Sequence, residues 1–214
     1  MRKEDLMKLA QDAIVNSDED QALTVIGEVL ADDFDLIEIL QTGFASGNLK
    51  VGEMFEKGEL TLPELIFSTE VMKRVIEIVE ERIPLGEARG RVLIATVEGD
   101  VHDIGKGIVA STMKSYGIEV IDLGRDIPAE VIVQKAQEYN VDIIATSALL
   151  TSTLTEQKKV ENLLKKQGLH DRFLTMVGGA PCTARWAKRI GADAYTIDAV
   201  AAAKTALKLL KPKI

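Results

Sequence analysis

The sequence predicts an α/β chain in which an N-terminal helical bundle is followed by a doubly wound, five-stranded parallel sheet. Three observations carry this. Apolar residues recur at helical spacing from Lys3 to Ile83, and beyond Pro84-Leu85-Gly86-Glu87-Ala88-Arg89-Gly90 they give way to short β-rich runs. Those runs alternate with helical segments, which is the rhythm of βα units around a parallel sheet. The expected organisation is a helical domain over 1–84, a linker over 85–90 and an α/β domain over 91–214. With 46% hydrophobic and 28% charged residues, the 214-residue chain has enough apolar material for two cores.

In the first half, Leu6, Leu9, Ala10, Ala13 and Ile14, then Ala22, Val25, Ile26, Val29 and Leu30, follow the spacing of one-sided helices that must pack on each other. A third helix carries Leu36, Ile37, Leu40 and Phe44 and stops near Gly47. A short fourth runs from about Leu49 to Lys57, and a long fifth from Pro63 to Ile83, with Pro63 suited to a helix start and Pro84 to a stop.

In the second half, strands are expected at Arg91–Val97, Ile118–Leu123, Asp142–Ser147, Arg172–Val177 and Ala194–Ile197. Helices fill the gaps, with Gly117, Gly168 and Gly191 just past helix ends and Pro128 near a helix start. This rhythm predicts a flavodoxin-like order 2-1-3-4-5. Such sheets bind ligands beyond the carboxyl ends of the strands, at the switch point between strands one and three. The residues to inspect are therefore Glu98–Gly107, Ser147–Thr153 and Gly178-Gly179-Ala180-Pro181.

A net charge of −8 argues against a nucleic-acid partner, because phosphate contact needs a basic footprint. The single cysteine, Cys182, has no intrachain disulfide partner, and no Cys/His pair stands at zinc-ligand spacing. The N-terminus opens into an amphipathic helix without an apolar signal core. No apolar run approaches the roughly 20 residues of a membrane span. A cytoplasmic location without membrane association is the expectation.

The loop after strand one admits competing chemistries. A phosphate-binding P-loop needs four residues before Gly-Lys and a hydroxyl after it, whereas here five separate Gly99 from Gly105-Lys106 and Gly107 replaces the hydroxyl. A dinucleotide reading fits Gly105-Lys106-Gly107-Ile108-Val109-Ala110 with Asp122 as its acid, but seven residues lie between Val97 and Gly105, too many for the tight turn that fingerprint requires. The third reading starts from Asp100 two residues before His102. A metal-binding imidazole works best when its other ring nitrogen donates to a carboxylate, and Asp100 is placed to be that partner, although an isolated Asp-x-His is often only a capping arrangement.

The segment Val97-Glu98-Gly99-Asp100-Val101-His102-Asp103-Ile104-Gly105-Lys106 closely resembles the cobalamin-binding loop of cobalamin-dependent methionine synthase and of the corrinoid proteins of methylamine, methanol and aryl methyl ether methyltransferase systems. Ser147 with Thr151, the pair Gly178-Gly179, and Met54–Pro63 in the helical half match further signatures of that family, so the likeness spans nearly the whole chain. The resemblance implies a corrinoid cofactor, cobalamin or a relative, methylated during turnover. Its cobalt would be ligated by His102, with Asp100 on the other ring nitrogen and Thr153 completing a Thr-Asp-His relay. Gly99, Val101, Asp103, Ile104 and Gly105 would contact the cofactor around that ligand. Ser147 and Thr151 would contact its buried nucleotide tail, Leu149 would also touch the cofactor, Gly178 and Gly179 would line the channel the tail threads, and Tyr195 would border the pocket. Phe55, Leu62 and Leu65 would cover the methyl-bearing face, the helical half acting as a cap.

The resemblance further implies a methyl carrier with the cofactor's own base displaced. A substrate-specific methyltransferase would load it, a second one acting on a folate or thiol carrier would unload it, and a reductive activator would serve as an accessory. A methyl-donor-activating barrel needs about 250 residues, which the two domains do not leave, so the chain is expected to borrow its catalysis. A cobalamin-dependent regulator would carry a signalling module, and an adenosylcobalamin mutase subunit would lack the helical cap. His170 reads as a surface residue, and Trp186 and Cys182 as packing.

Overall fold

The computed structural model describes residues 1–32, 34–82 and 89–210, and the chain divides into two units, Met1–Ile83 and Pro84–Ile214. Most of the expected linker therefore lies outside the described residues. Arg89 and Gly90 lie within them and are tied to the second unit. The Arg89 N–H donates to the Gly117 carbonyl (2.8 Å), and the Gly90 carbonyl accepts from the Glu119 N–H (3.0 Å).

The helical unit contains α1 (Lys3–Val15), α2 (Glu19–Ala31), α3 (Leu36–Ile39), a π turn (Leu40–Phe44), α4 (Ala45–Glu56) and α5 (Leu62–Glu81). Side-chain carboxylates start two of these helices: Asp18 accepts from the Gln21 N–H and Asp35 from the Ile37 N–H, each satisfying an orphan donor of the first turn. The core joins Leu6, Ala10 and Ile14 of α1 to Val25 and Val29 of α2, Phe44 of the π turn, and Met72, Val75 and Val79 of α5, all buried. The buried Ser68 hydroxyl donates to the Ile14 carbonyl (2.7 Å), closing the end of α1 onto α5.

One expectation is corrected here. The third and fourth helices do not break near Gly47; α3, the π turn and α4 run without interruption from Leu36 to Glu56. Gly47 is a contact residue, because a Cβ on it would stand 2.6 Å from the Gln11 carbonyl oxygen and 2.8 Å from Ile14 Cβ. Gly43, four residues earlier, would meet Ala10 Cβ at 2.8 Å. The two glycines let α1 and the long helical run approach closely, a reason for glycine that a stop signal mimics in sequence.

The second unit contains β1 (Arg91–Thr96), α6 (Ile104–Ser115), β2 (Glu119–Asp122), α7 (Ala129–Glu138), β3 (Ile143–Ser147), α8 (Leu154–Lys166), β4 (Leu174–Gly178), α9 (Ala184–Ile190), β5 (Ala194–Tyr195) and α10 (Ala199–Leu209). The strands are parallel in the expected order β2-β1-β3-β4-β5. Alternation along β1 feeds two cores. Val92 and Ile94 pack with α6 and α10 through Ala110, Met113, Ala203 and Ala206; Leu93 and Ala95 pack with α7 and α8 through Ile132, Val133, Val160 and Leu164. Because every strand runs the same way, the loops after β1, β3 and β4 emerge side by side on one edge. Among the described residues no helix is long and apolar enough to cross a membrane.

Two measurements test this packing. Gly47→Ala should destabilise the chain by ~1–3 kcal/mol, seen as a lower thermal midpoint, because the facing group is backbone. Glu161 on α8 is buried, and burial pushes its carboxyl above the usual range against a hydrogen bond with Thr175 that lowers it. A raised folded-state value means the folded chain binds this proton more readily than the unfolded one. Stability is therefore favoured at low pH and falls as pH rises from the ordinary carboxylate range through the raised value. Glu161→Gln should raise the melting temperature at pH 8 and not at pH 4; equal gains at both would refute the assignment.

Candidate functional site

The site is built from the three loops that the sheet order brings together. β1 continues into a bridge between Val97 and Ile127, and the Val97 N–H donates to the Ser147 carbonyl (3.1 Å), fixing the spacing of the first two loops. Gly99 turns the chain with φ +76°, and its N–H donates to Asp126 Oδ1 (2.7 Å). Asp100 is thereby directed inward and is fully buried, while His102 two residues later keeps a 45% exposed side chain.

Asp100 accepts hydrogen bonds from five donors. Oδ1 receives the His102 N–H (3.1 Å) and ring Nδ1 (2.7 Å); Oδ2 receives the Leu149 N–H (2.7 Å), the Leu150 N–H (3.2 Å) and the Thr153 hydroxyl (2.7 Å). Burial by itself raises this carboxyl, but the hydrogen bonds from Thr153, His102 and Leu149 outweigh it and hold the group down at about 2. Asp100 is therefore a carboxylate at neutral pH, and the ring nitrogen facing it must carry the hydrogen. In the neutral imidazole this puts the hydrogen on Nδ1 and leaves the lone pair of Nε2 facing outward on an exposed ring. The Thr96 hydroxyl donates to the His102 carbonyl (3.0 Å) and anchors the backbone beneath the ring.

Several features around His102 suit a large, partly apolar ligand. Val101, Leu149 and Leu150 expose apolar side chains at the loop tips. Gly105 opens α6 with nothing within 4 Å of where its Cβ would be, so no protein group accounts for the glycine there. The Ser147 and Thr151 hydroxyls make no hydrogen bond within the described residues, Ser147 half-buried at the end of β3 and Thr151 exposed in the following loop. Asp103 and Ile104 complete the turn into α6, with Asp103 3.9 Å from the Arg125 guanidinium. No three His, Cys, Asp or Glu side chains among the described residues form a metal cluster. A lone Nε2 can hold a metal that brings its remaining ligands with it, as a macrocycle does.

The structure thus brings together the expected residues from Gly99 to Gly105, from Ser147 to Thr153, and at Gly178 and Gly179. The reason for the glycine pair is sharper than expected. Gly179 has φ +120°, and a Cβ there would lie 1.9 Å from the Ala148 carbonyl oxygen, so protein backbone already forbids a side chain. At Gly178 a Cβ would meet only the Thr196 carbonyl oxygen at 3.7 Å. Tyr195 is half-buried and packs with Val177, Cys182, Ala187 and Ile190. Phe55, Leu62 and Leu65 belong to the helical unit, where Phe55 and Leu62 are exposed and Leu65 is half-buried. His170 lies beyond α8 at the opposite edge of the sheet, 3.8 Å from Asp171.

Three participants were missed in the sequence. Asp126 gave no signal, being in a loop with φ +58°. Lys106 is buried and paired with Asp122, which occupies the acid that a dinucleotide would need. Gln157 stands four residues after Thr153, in the first turn of α8, and nothing in its sequence surroundings marked it.

The B12 binding domain family matches residues 90–207, and a second B12 binding domain family matches residues 7–80. Trimethylamine corrinoid protein 1 of Methanosarcina acetivorans is 45% identical over 90% of this chain and 91% of its own length. The dimethylamine corrinoid protein of Methanosarcina barkeri is 42% identical over 98% of this chain and 100% of its own. The structure of the Methanosarcina barkeri monomethylamine corrinoid protein superposes with a TM-score of 0.88 at 30% identity, covering 97% of this chain and 100% of that one. A chain of the methanol:cobalamin methyltransferase complex of the same organism gives 0.56 at 27% identity, over 98% of this chain and 81% of that one.

The tautomer assignment can be checked without any ligand. Nitrogen NMR of the unloaded protein at pH 8 should show the His102 ring protonated on Nδ1. Asp100→Ala should abolish that preference, and an unchanged ring spectrum in the variant would refute the pairing.

Proposed function

The chain belongs to the B12-binding corrinoid proteins of methylamine and methanol methyltransferase systems, and from that premise we propose that it is a methyl carrier whose corrinoid cobalt is ligated by His102, with the cofactor's own base displaced. When bound, the corrinoid supplies the cobalt centre on which the methyl group travels. A substrate-specific methyltransferase loads it, a second methyltransferase unloads it onto a folate or thiol carrier, and a reductive activator serves the pair. The identities of 42–45% with trimethylamine and dimethylamine corrinoid proteins favour methylamines as the donor class.

The observation that carries this reading is the Asp100–His102 pair, with Nδ1 held at 2.7 Å and Nε2 free. The carboxylate fixes the tautomer and raises the basicity of Nε2 as a ligand. His102 would hold the cobalt through Nε2, and the buried Asp100 carboxylate would hold the other ring nitrogen whether or not the ring is bound to the metal. Thr153 holds Oδ2, so Asp100 keeps its orientation in both states. The Ser147 and Thr151 hydroxyls are the proposed partners of the cofactor's nucleotide tail, with Gly178 and Gly179 as the wall beside it and Tyr195 at its border. The helical unit's role in this reading is to shield the bound group with exposed apolar side chains, Phe55 and Leu62 among them.

Reconstitution tests the ligand. With 15N-histidine-labelled protein, electron paramagnetic resonance of the Co(II) form should show one axial histidine nitrogen in the wild type and none in His102→Ala; retained histidine coupling in that variant would sink the assignment. Asp100→Ala should weaken corrinoid binding by roughly 10- to 100-fold, measured by titration, and should slow methyl transfer from a dimethylamine or trimethylamine methyltransferase.

A further inference from the structure

Gln157 is 1% exposed, and its amide lies at the centre of a network that joins both sides of the site. Its Nε2 donates to the Thr146 carbonyl (3.0 Å) and the Gly178 carbonyl (3.1 Å), while Oε1 accepts from the Trp186 indole N–H (2.9 Å) and from the Cys182 thiol (3.8 Å). Two donor hydrogens and two acceptor lone pairs are all engaged, so the amide has one orientation. The Gly178 carbonyl also accepts the Ala148 N–H (3.2 Å), and Gly179 passes against the Ala148 backbone. Gln157 therefore sets the gap between the ends of β3 and β4, where Ser147 pairs with Gly178.

Its place on α8 gives this consequence for the ligand. Thr153, one turn earlier, holds the Asp100 carboxylate; Gln157 holds Gly178. One helix end thus braces the His102 loop on one side and the glycine wall on the other. We propose that Gln157, locked by Trp186, is a positioning residue for the corrinoid's nucleotide tail: it fixes the Gly178-Gly179 wall without touching the cobalt ligand. This rests on the corrinoid reading above. No other side chain of similar size does the same. Methionine fills the volume but leaves both carbonyls without this donor, and glutamate places a carboxylate oxygen against them.

The test compares cobalamin with cobinamide, the same macrocycle without the nucleotide tail, on the full chain. Gln157→Met should weaken cobalamin binding about tenfold, while cobinamide affinity stays within twofold. The axial histidine signature of the Co(II) form should persist. Trp186→Phe removes only the indole donor and leaves the amide less tightly held, so it should lower cobalamin affinity by a smaller factor with the same selectivity; it decides the matter if Gln157→Met does not fold. Equal loss of both corrinoids in the folded variants, or no loss of either, overturns the role of Gln157. A wild type that binds both corrinoids equally overturns the tail channel itself. A wild type that binds neither overturns the corrinoid reading beneath it.

Discussion

A carboxylate buried away from water is expensive unless its lone pairs are filled, and the α/β unit is arranged around filling those of Asp100. Its donors come from two separate loops: the His102 backbone and ring from the loop after β1, and Leu149, Leu150 and Thr153 from the loop after β3. Neither loop can supply them alone. The pairing of β1 with β3 brings the loops to the same edge, and the register that sets Thr96 against Ser147 brings them to the right depth. The switch point of the sheet is thus where a buried anion can be satisfied, and the anion in turn favours one tautomer of the exposed His102 imidazole.

This dependence bears on how, in the proposed reading, a single protein ligand would suffice. An isolated histidine is a weak and orientationally loose metal ligand, and a structural metal site would recruit three or four side chains. In the proposed reading the remaining coordination would be left to the macrocycle, while the polar groups around Asp100 orient one nitrogen. The free Nε2, the apolar rim of Val101, Leu149 and Leu150, and the open space beside Gly105 are what remain visible of that division of labour.

Much of the arrangement was legible in the sequence because it follows from periodicity. The two halves differ in apolar spacing, and alternation in β1 assigns Val92 and Leu93 to opposite faces of the sheet. Sheet order then names the loops that meet. Less legible was anything set by close approach. Gly47 reads as a helix stop and is instead a point where α4 touches α1; Gly179 reads as room for a ligand and is first of all room for the Ala148 carbonyl. A glycine states that a Cβ is absent, not what takes its place. Polar groups that brace from behind were illegible for a related reason. Gln157 and Lys106 sit on helices among residues of ordinary helical composition, and only the fold shows that their far ends reach carbonyls and a carboxylate.

The bracing groups also bear on how such a site can work in two states. A histidine that leaves and rejoins a metal must do so without rearranging the wall behind it, or each cycle would rebuild the pocket. The contacts separate these two tasks. His102 is held through one carboxylate oxygen and its own backbone, so its exposed ring is the part with freedom to move. The other carboxylate oxygen, the Thr153 hydroxyl, the turn of α8 and the Gln157 amide form a continuous buried chain from Asp100 to Gly178 that does not include the imidazole. In the proposed reading a change at Nε2 would therefore be confined to the rim, while the groups lining the proposed tail channel are fixed by bonds that do not involve the imidazole.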